Sequence, residues 1–318
     1  MKKEKKMLLG VDDSEFALEA ISAAGGLLNN CTDLKITLSY CAPDRDLTFL
    51  AKVLRDYPDA LEEIERVCTL EEHDVLERAR NALVASGVGE AGLETICESK
   101  CRDPADSLLR LADSQGNEVL LVGRYGAGQP KRQVMGRLAN QLVQTAEDRA
   151  VWIIDPRITS HDILVTLVGA PISRRVVEHA VRYFAHLKKS RFTFFHVLPP
   201  LPPQYWDDAR ILSEKEREER NKMIDQWMEG YVKEVEQIAN EGKEKLIKAG
   251  VPEENITIRC QAQERGIARD ILAELEGNNY GILVLGRKGF RGISEFGLGS
   301  KASKLLHSAH AGVLCLVS

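Results

Sequence analysis

No apolar run in the chain approaches the roughly 18 residues that cross a bilayer, so no membrane span is expected. Export features are equally scarce. The basic "MKKEKK" is followed only by "MLLGV" before Asp12 and Asp13, too short for the apolar core of a signal peptide. Positive charge is not in excess: a net charge of −5 gives no sign of a general nucleic-acid binder. Cysteine is sparse, and the seven residues are odd in number and scattered. That pattern fits reduced thiols in a cytoplasm better than a disulfide framework. The nearest pair, Cys97 and Cys101, has no further ligands close by to complete a metal or redox centre. His307 and His310 lack a third ligand and read as surface or groove histidines. Three motifs are missing as well: G-x-x-x-x-G-K-[ST], G-x-G-x-x-G after a first strand, and G-x-S-x-G. Their absence excludes the familiar phosphate loops and the hydrolase nucleophile turn.

What is present is a globular composition, 44% hydrophobic and 29% charged, over 318 residues. That length suits two domains of about 150 residues. The sequence also repeats. The first half runs through apolar strands "MLLGV", "LKITLSYC", "LETICES", "EVLLVG" and "AVWIID", with amphipathic segments between them. One of those, about 59–86, carries Leu61, Ile64, Val67, Leu70, Val75, Leu76, Ala79 and Leu83 at helical spacing. Another opens near Pro104 and stops at Gly116. The second half repeats the order with "ILVTLVG", "RFTFFHVL", "NITIRCQ", "GILVLG" and "GVLCLV". Its second helix is longer, roughly 213–249, with Ser213 and Glu216 as a capping box. Along it Ile224, Trp227, Met228, Tyr231, Val235 and Ile238 form a stripe. Packing on the sheet or between halves is the plainer reading of that stripe, a partner or membrane face the other.

Alternating strands and helices predict the α/β class: two tandem doubly wound domains, each with a five-stranded parallel sheet of the Rossmann-like type. The boundary is expected in the short linker near Pro156, giving domains 1–157 and 158–318.

Two related glycine loops follow the fourth strands. "GRKGFRGISEFGLGS" spans Gly286 to Ser300, and "GRYGAGQPKRQVMGR" spans Gly123 to Arg137. Ligands of open α/β sheets bind beyond the carboxyl ends of the strands. Each loop also opens a helix, whose free N–H groups favour an anion. Both segments are locally basic: Arg287, Lys288, Arg291, Lys301 and Lys304 against Glu295 in one, and Arg124, Lys131, Arg132 and Arg137 against no acid in the other. A solvated basic loop would explain the charge alone, but not the glycines, the position and the repetition together.

The spacing Gly286-x2-Gly289-x9-Gly299-Ser300 resembles the G-2x-G-9x-G-(S/T) loop of the universal stress protein family. Gly123, Gly126 and Gly136 repeat it with Arg137 in place of the hydroxyl residue, and "LLGVDDSE" resembles the family's first strand and acidic turn. The resemblance covers almost the whole chain as two copies. It implies binding of ATP or another adenine nucleotide, with or without Mg2+. In the second half it implies a site at Val197, Gly286, Arg287, Gly289, Gly299, Ser300 and Lys301, with Val168 where the family has an Asp. In the first half it implies Asp12, Tyr40, Gly123, Gly126, Gly136 and Arg137. Tyr40 is matched there to the strand-end position that Val197 holds. Asp12 could instead cap the first helix, as could Asp13 or Ser14. The Arg137 guanidinium could fill the anion site or grip a phosphate from the side, and filling is the favoured reading.

The function expected is that of a cytoplasmic, nucleotide-responsive stress regulator. The other reading is a scaffold that binds no nucleotide and works through dimerisation and partners. Catalysis beyond weak ATP hydrolysis is not expected, because no loop residue stands out as a base or metal anchor. The resemblance also implies pairing through the last strands, around Trp152 and Cys315. That pairing would be an intrachain pseudo-dimer, or else a homodimer. It names no protein partner.

Overall fold

A computed structural model of the chain describes residues 4–43, 52–53, 55, 57–126, 135–198, 214–287 and 298–318. It divides into two compact units, Met1–Ile158 and Thr159–Ser318.

The first unit contains β1 (Lys5–Val11), α1 (Glu15–Leu28), β2 (Leu34–Pro43), α2 (Pro58–Ala85), β3 (Leu93–Cys101), α3 (Pro104–Gln115), β4 (Val119–Gly123), α4 (Arg137–Thr145) and β5 (Ala150–Ile154). Its strands are ordered β3-β2-β1-β4-β5, and every pairing is parallel. The second unit contains β6 (Ile163–Leu167), α5 (Ala170–Phe184), β7 (Phe192–Leu198), α6 (Glu214–Lys248), β8 (Ile256–Ala262), α7 (Ile267–Gly277), β9 (Ile282–Gly286), α8 (Ser300–Ser308) and β10 (Val313–Val317). Its order β10-β9-β6-β7-β8 is the same winding. The chain winds outward through the first three strands and then crosses back to the other side of the first. With right-handed crossovers, the helices fall on both faces. Helices α1 and α2 pack together, as do α3 and α4. The winding reverses between β1 and β4, and between β6 and β9, so the crevice that holds ligands in such sheets opens beyond their carboxyl ends.

Local chemistry explains the elements. Strands β5, β6 and β10 are buried at every residue, as apolar strands covered on both faces must be. Pro104 begins α3 after Asp103, whose carboxylate caps the Ala105 and Asp106 N–H groups at 3.0 and 3.3 Å. Gly116 ends that helix with φ 66°, where a side chain would be strained.

The long helices overhang the sheet. The 28 residues of α2 extend about 42 Å, while a seven-residue strand such as β1 covers about 23 Å. Among the described side chains, the fully buried part of the expected apolar stripe is therefore its later part. Val75, Leu76, Ala79 and Leu83 are buried, but Val67 and Leu70 are exposed by 42% and 54%. In the 35-residue α6, Tyr231, Val235 and Ile238 are buried, Ile224 and Met228 half-buried, and Met223 exposed. Ser213 and the side chains of Leu61 and Trp227 lie outside the described residues.

One expectation is corrected. The cysteines are not all free thiols: Cys41 and Cys101 form a disulfide, with Cα atoms 5.3 Å apart. Sequence proximity singled out Cys97 and Cys101, but strand pairing decides which cysteines meet. Cys41 of β2 lies opposite Glu98 of β3, and Pro43 opposite Cys101. Two steps along β2 thus match three along β3. The extra residue carries Cys101 to the side of the sheet that Cys41 faces.

Candidate functional site

In the first unit, the sequence turns directly after β1. Asp12 accepts hydrogen bonds from the Ser14 N–H at 2.9 Å and from the Ser14 hydroxyl. Ser14, rather than Asp12 or Asp13, is the cap of α1, accepting from the Ala17 N–H at 3.1 Å. Two hydrogen bonds thus hold the half-buried Asp12 carboxylate beyond the strand. Its other oxygen faces the glycine loop: a Cβ on Gly126 would lie 2.6 Å from Asp12 Oδ2. Only a glycine at 126 lets backbone and carboxylate approach so closely.

The loop itself is closed by backbone bonds. Gly123 ends β4 opposite Ile154. The Arg124 N–H donates to the Ile154 carbonyl at 2.7 Å, and the Gly136 N–H donates to the Arg124 carbonyl at 2.8 Å. A Cβ on Gly136 would stand 3.2 Å from that carbonyl and 3.7 Å from the Gly126 nitrogen, so the glycine keeps a cradle open there. Gly136 then begins α4 without a capping side chain. Asp12, Gly123, Gly126, Gly136 and Arg137 therefore meet at one edge, where β1 and β4 lie side by side. The arginine does not fold into the loop as favoured from sequence. Arg137 is exposed on the first turn of α4. The Gln141 amide, which donates to both Asp103 oxygens, holds that carboxyl below its usual range, and the Arg137 charge adds to the effect. An exposed guanidinium gains more from water and a neighbouring carboxylate than from giving up its hydration to enter a backbone cradle.

The second unit repeats the closure. Gly286 ends β9 opposite Val317, the Arg287 N–H donates to the Val317 carbonyl at 2.7 Å, and the Gly299 N–H donates to the Arg287 carbonyl at 3.0 Å. Gly299 precedes α8 without a capping side chain, and Ser300 and Lys301 are exposed on the first turn. The Arg287 side chain is turned inward instead. It is 1% exposed, and its Nε donates to the Ser318 hydroxyl at 3.0 Å. Gly289 lies outside the described residues.

Where the first unit has Asp12, the second has Val168. The Val168 N–H donates to the Ser173 hydroxyl at 2.8 Å, and the Tyr231 hydroxyl donates to the Val168 carbonyl at 2.9 Å. His196 stands beside them, its Nδ1 2.8 Å from the Leu167 carbonyl and its ring edge-on to Tyr231. That contact places the proton on Nδ1. Burial pushes the His196 pKa down, and the Leu167 contact opposes it. His196 and Tyr231 were not singled out as site residues, and nothing in the sequence marked them apart from the apolar run and stripe that contain them.

Strand register also shifts one assignment. Val11, just before Asp12, pairs with Tyr40, and Leu167, just before Val168, pairs with His196. Tyr40 therefore answers to His196. The counterpart of Val197, which is buried and paired with Gln261, is Cys41. Both strands are continuous apolar runs, so no alternation fixed their alignment from sequence.

A family model described as the universal stress protein family matches residues 4–151 and again 159–316. Among solved structures, the chain is similar to a universal stress protein from Archaeoglobus fulgidus DSM 4304, at 15% identity and a TM-score of 0.63, covering 99% of both chains. A functionally unknown protein from Pseudomonas aeruginosa PAO1 matches at 12% identity and 0.54, covering 99% of this chain and 92% of the other. A putative universal stress protein from Pseudomonas aeruginosa UCBPP-PA14 matches at 13% and 0.52, covering 99% and 93%. No curated protein sequence matches the chain.

Proposed function

The chain belongs to the universal stress protein family, matched twice along its length, and from that membership we propose that it is an adenine-nucleotide-responsive regulator. We assign ATP or a related nucleotide to the second copy, 158–318, and a degenerate phosphate loop to the first, 1–157. The single observation that carries this is the bond from the Gly299 N–H to the Arg287 carbonyl at 3.0 Å. It closes the loop and leaves Ser300 and Lys301 exposed at the start of α8. The N–H groups of a helix start, a hydroxyl and an ammonium there suit a phosphate. Arg287, turned inward, serves to position the loop rather than to touch the ligand. The backbone at Val197 would face the adenine, and Gly286 and Gly289 would let the phosphates approach.

Among the described residues, no group of three or more His, Cys, Asp or Glu could hold a metal, so any Mg2+ would ride on the nucleotide phosphates. Hydrolysis would be weak at most, and the cytoplasm is the proposed location. The tandem copies are consistent with an intrachain pseudo-dimer; a homodimer is the other assembly proposed.

Calorimetric titration of the full chain with ATP, ADP, AMP and cAMP tests the reading. We expect heat with at least one of them, lost in Ser300→Arg, which imitates the first copy. No heat with the wild-type chain would sink the proposal, and equal binding by the variant would move the site away from α8. A second reading, a scaffold without nucleotide, draws on exposed Val67, Leu70 and Met223 along the overhanging helices. Absence of nucleotide heat together with a stable protein complex would favour it.

A further inference from the structure

The disulfide ends at the candidate site. Cys41 holds, in the first unit, the position that Val197 holds in the second, and it is bonded to Cys101 at the end of β3. The rest of β2 is held by its ladders to β1 and β3. Among the described residues, β2 pairs with β1 only as far as Tyr40, and past the register shift at Cys41 its ladder continues with β3. The disulfide is therefore the covalent clamp on the last residues of β2, those that face the ligand edge.

Access favours reversal. Cys41 is half-buried and Cys101 is 8% exposed, so an incoming thiolate reaches the Cys41 sulfur and Cys101 leaves. The third cysteine on these strands does not compete. Cys97 is exposed, but burial of its sulfur and a hydrogen bond to Glu72 push its thiol up to about 11. At neutral pH it is almost wholly protonated and a poor attacker. One pair thus responds while its neighbour stays silent.

We propose that Cys41 and Cys101 form a reversible dithiol–disulfide switch that clamps or releases the carboxyl ends of β2 and β3. In the oxidising direction the two thiols give up two protons and two electrons, one S–S bond forms, and hydrogen peroxide accepts both pairs and leaves as two waters. In the reducing direction a thiolate of glutathione or dithiothreitol attacks the Cys41 sulfur and Cys101 leaves as a thiol; a second glutathione, or the other thiol of the same dithiothreitol, then resolves the mixed disulfide, freeing Cys41 and carrying off the S–S bond as glutathione disulfide or cyclic dithiothreitol. The coupling of this switch to ligand rests on the proposed nucleotide function; the switch itself does not.

The full chain is equilibrated in glutathione buffers of graded ratio, quenched, unfolded and alkylated, and its free thiols are counted by mass. Oxidised protein should show five free thiols, matching Cys31, Cys68, Cys97, Cys260 and Cys315, and reduced protein all seven cysteines. Hydrogen exchange read on peptides covering 40–43 and 101–103 should be at least about tenfold slower in the oxidised form. Cys41→Ser and Cys101→Ser should abolish both effects, and Cys97→Ser should keep both. Seven free thiols at every ratio, or a disulfide mapped to other cysteines, overturns the switch. So does equal exchange in the two states, a readout on the wild-type chain that survives even if a variant fails to fold. In a parallel ATP titration, an affinity difference of at least about fivefold between the states supports coupling to the site. Equal affinities overturn that coupling. No ATP binding in either state counts against the nucleotide function, while the thiol count and exchange still decide the switch.

Discussion

Arg287 donates from its Nε to the Ser318 hydroxyl at 3.0 Å, joining the residue after β9 to the residue after β10. The first unit has Arg124 and Asp155 at the matching places, both buried. A buried guanidinium is expensive unless its donors are satisfied, so the Arg287–Ser318 contact helps fix how the second glycine loop leaves its strand. Ser318→Ala should cost about 1 kcal/mol in urea unfolding. Arg287→Ala should cost about 3 kcal/mol, because packing is lost along with the hydrogen bonds. A cost within error for both variants would mean that the loop is anchored elsewhere.

Gly126 and Asp12 offer a second test. A methyl at 126 would press on the end of the Asp12 carboxylate, 2.6 Å away. That carboxylate can swing aside only by giving up its bonds to Ser14. Gly126→Ala should therefore cost about 1 kcal/mol, and the cost should disappear in an Asp12→Gly background. A double-mutant cycle by chemical denaturation reads the coupling; strict additivity would refute the contact.

Stability should fall as the solution is acidified from neutral, before carboxylates titrate. Burial, with the nearby Arg182 charge, pushes His179 down to about 3, and burial pushes His196 down as well. Both stay neutral in the folded chain and protonate near pH 6.5 when it unfolds. Their contribution is complete above that pH and is lost as pH falls from about 6.5 toward the folded values. Each adds a slope of up to about 1.4 kcal/mol per pH unit. Urea midpoints at pH 7, 6 and 5 for the wild type and His179→Phe should converge as pH drops. Parallel curves would show that His179 titrates normally.

The fold could be read from the chain because its evidence is local. Pro104 and Gly116 mark a helix they do bound, and short β-branched runs such as "ILVTL", read as covered strands, are buried at every residue. What escaped depended on register and distance. Cys41 and Cys101 are 60 residues apart and meet only because β2 pairs with β3 through an irregular step. Tyr40 was matched to Val197 because neither apolar run carries a period to align it, and strand pairing moves the match to Cys41. Arg137 was expected to fold inward, yet it is exposed at the start of α4. Charge balance at an edge, unlike periodicity, has no sequence signature.

The overhang of α2 has a consequence for traffic at this edge. A helix that follows a strand starts at that strand's carboxyl end, and the packed part of α2 is its later part, Val75 to Leu83. The earlier turns, with Val67 and Leu70, therefore rise past the crevice like a parapet. On the α2 side of the proposed site, these exposed turns would form a screen. Lengthening or trimming α2 before Val75 would raise or lower the screen while leaving the sheet and its core untouched.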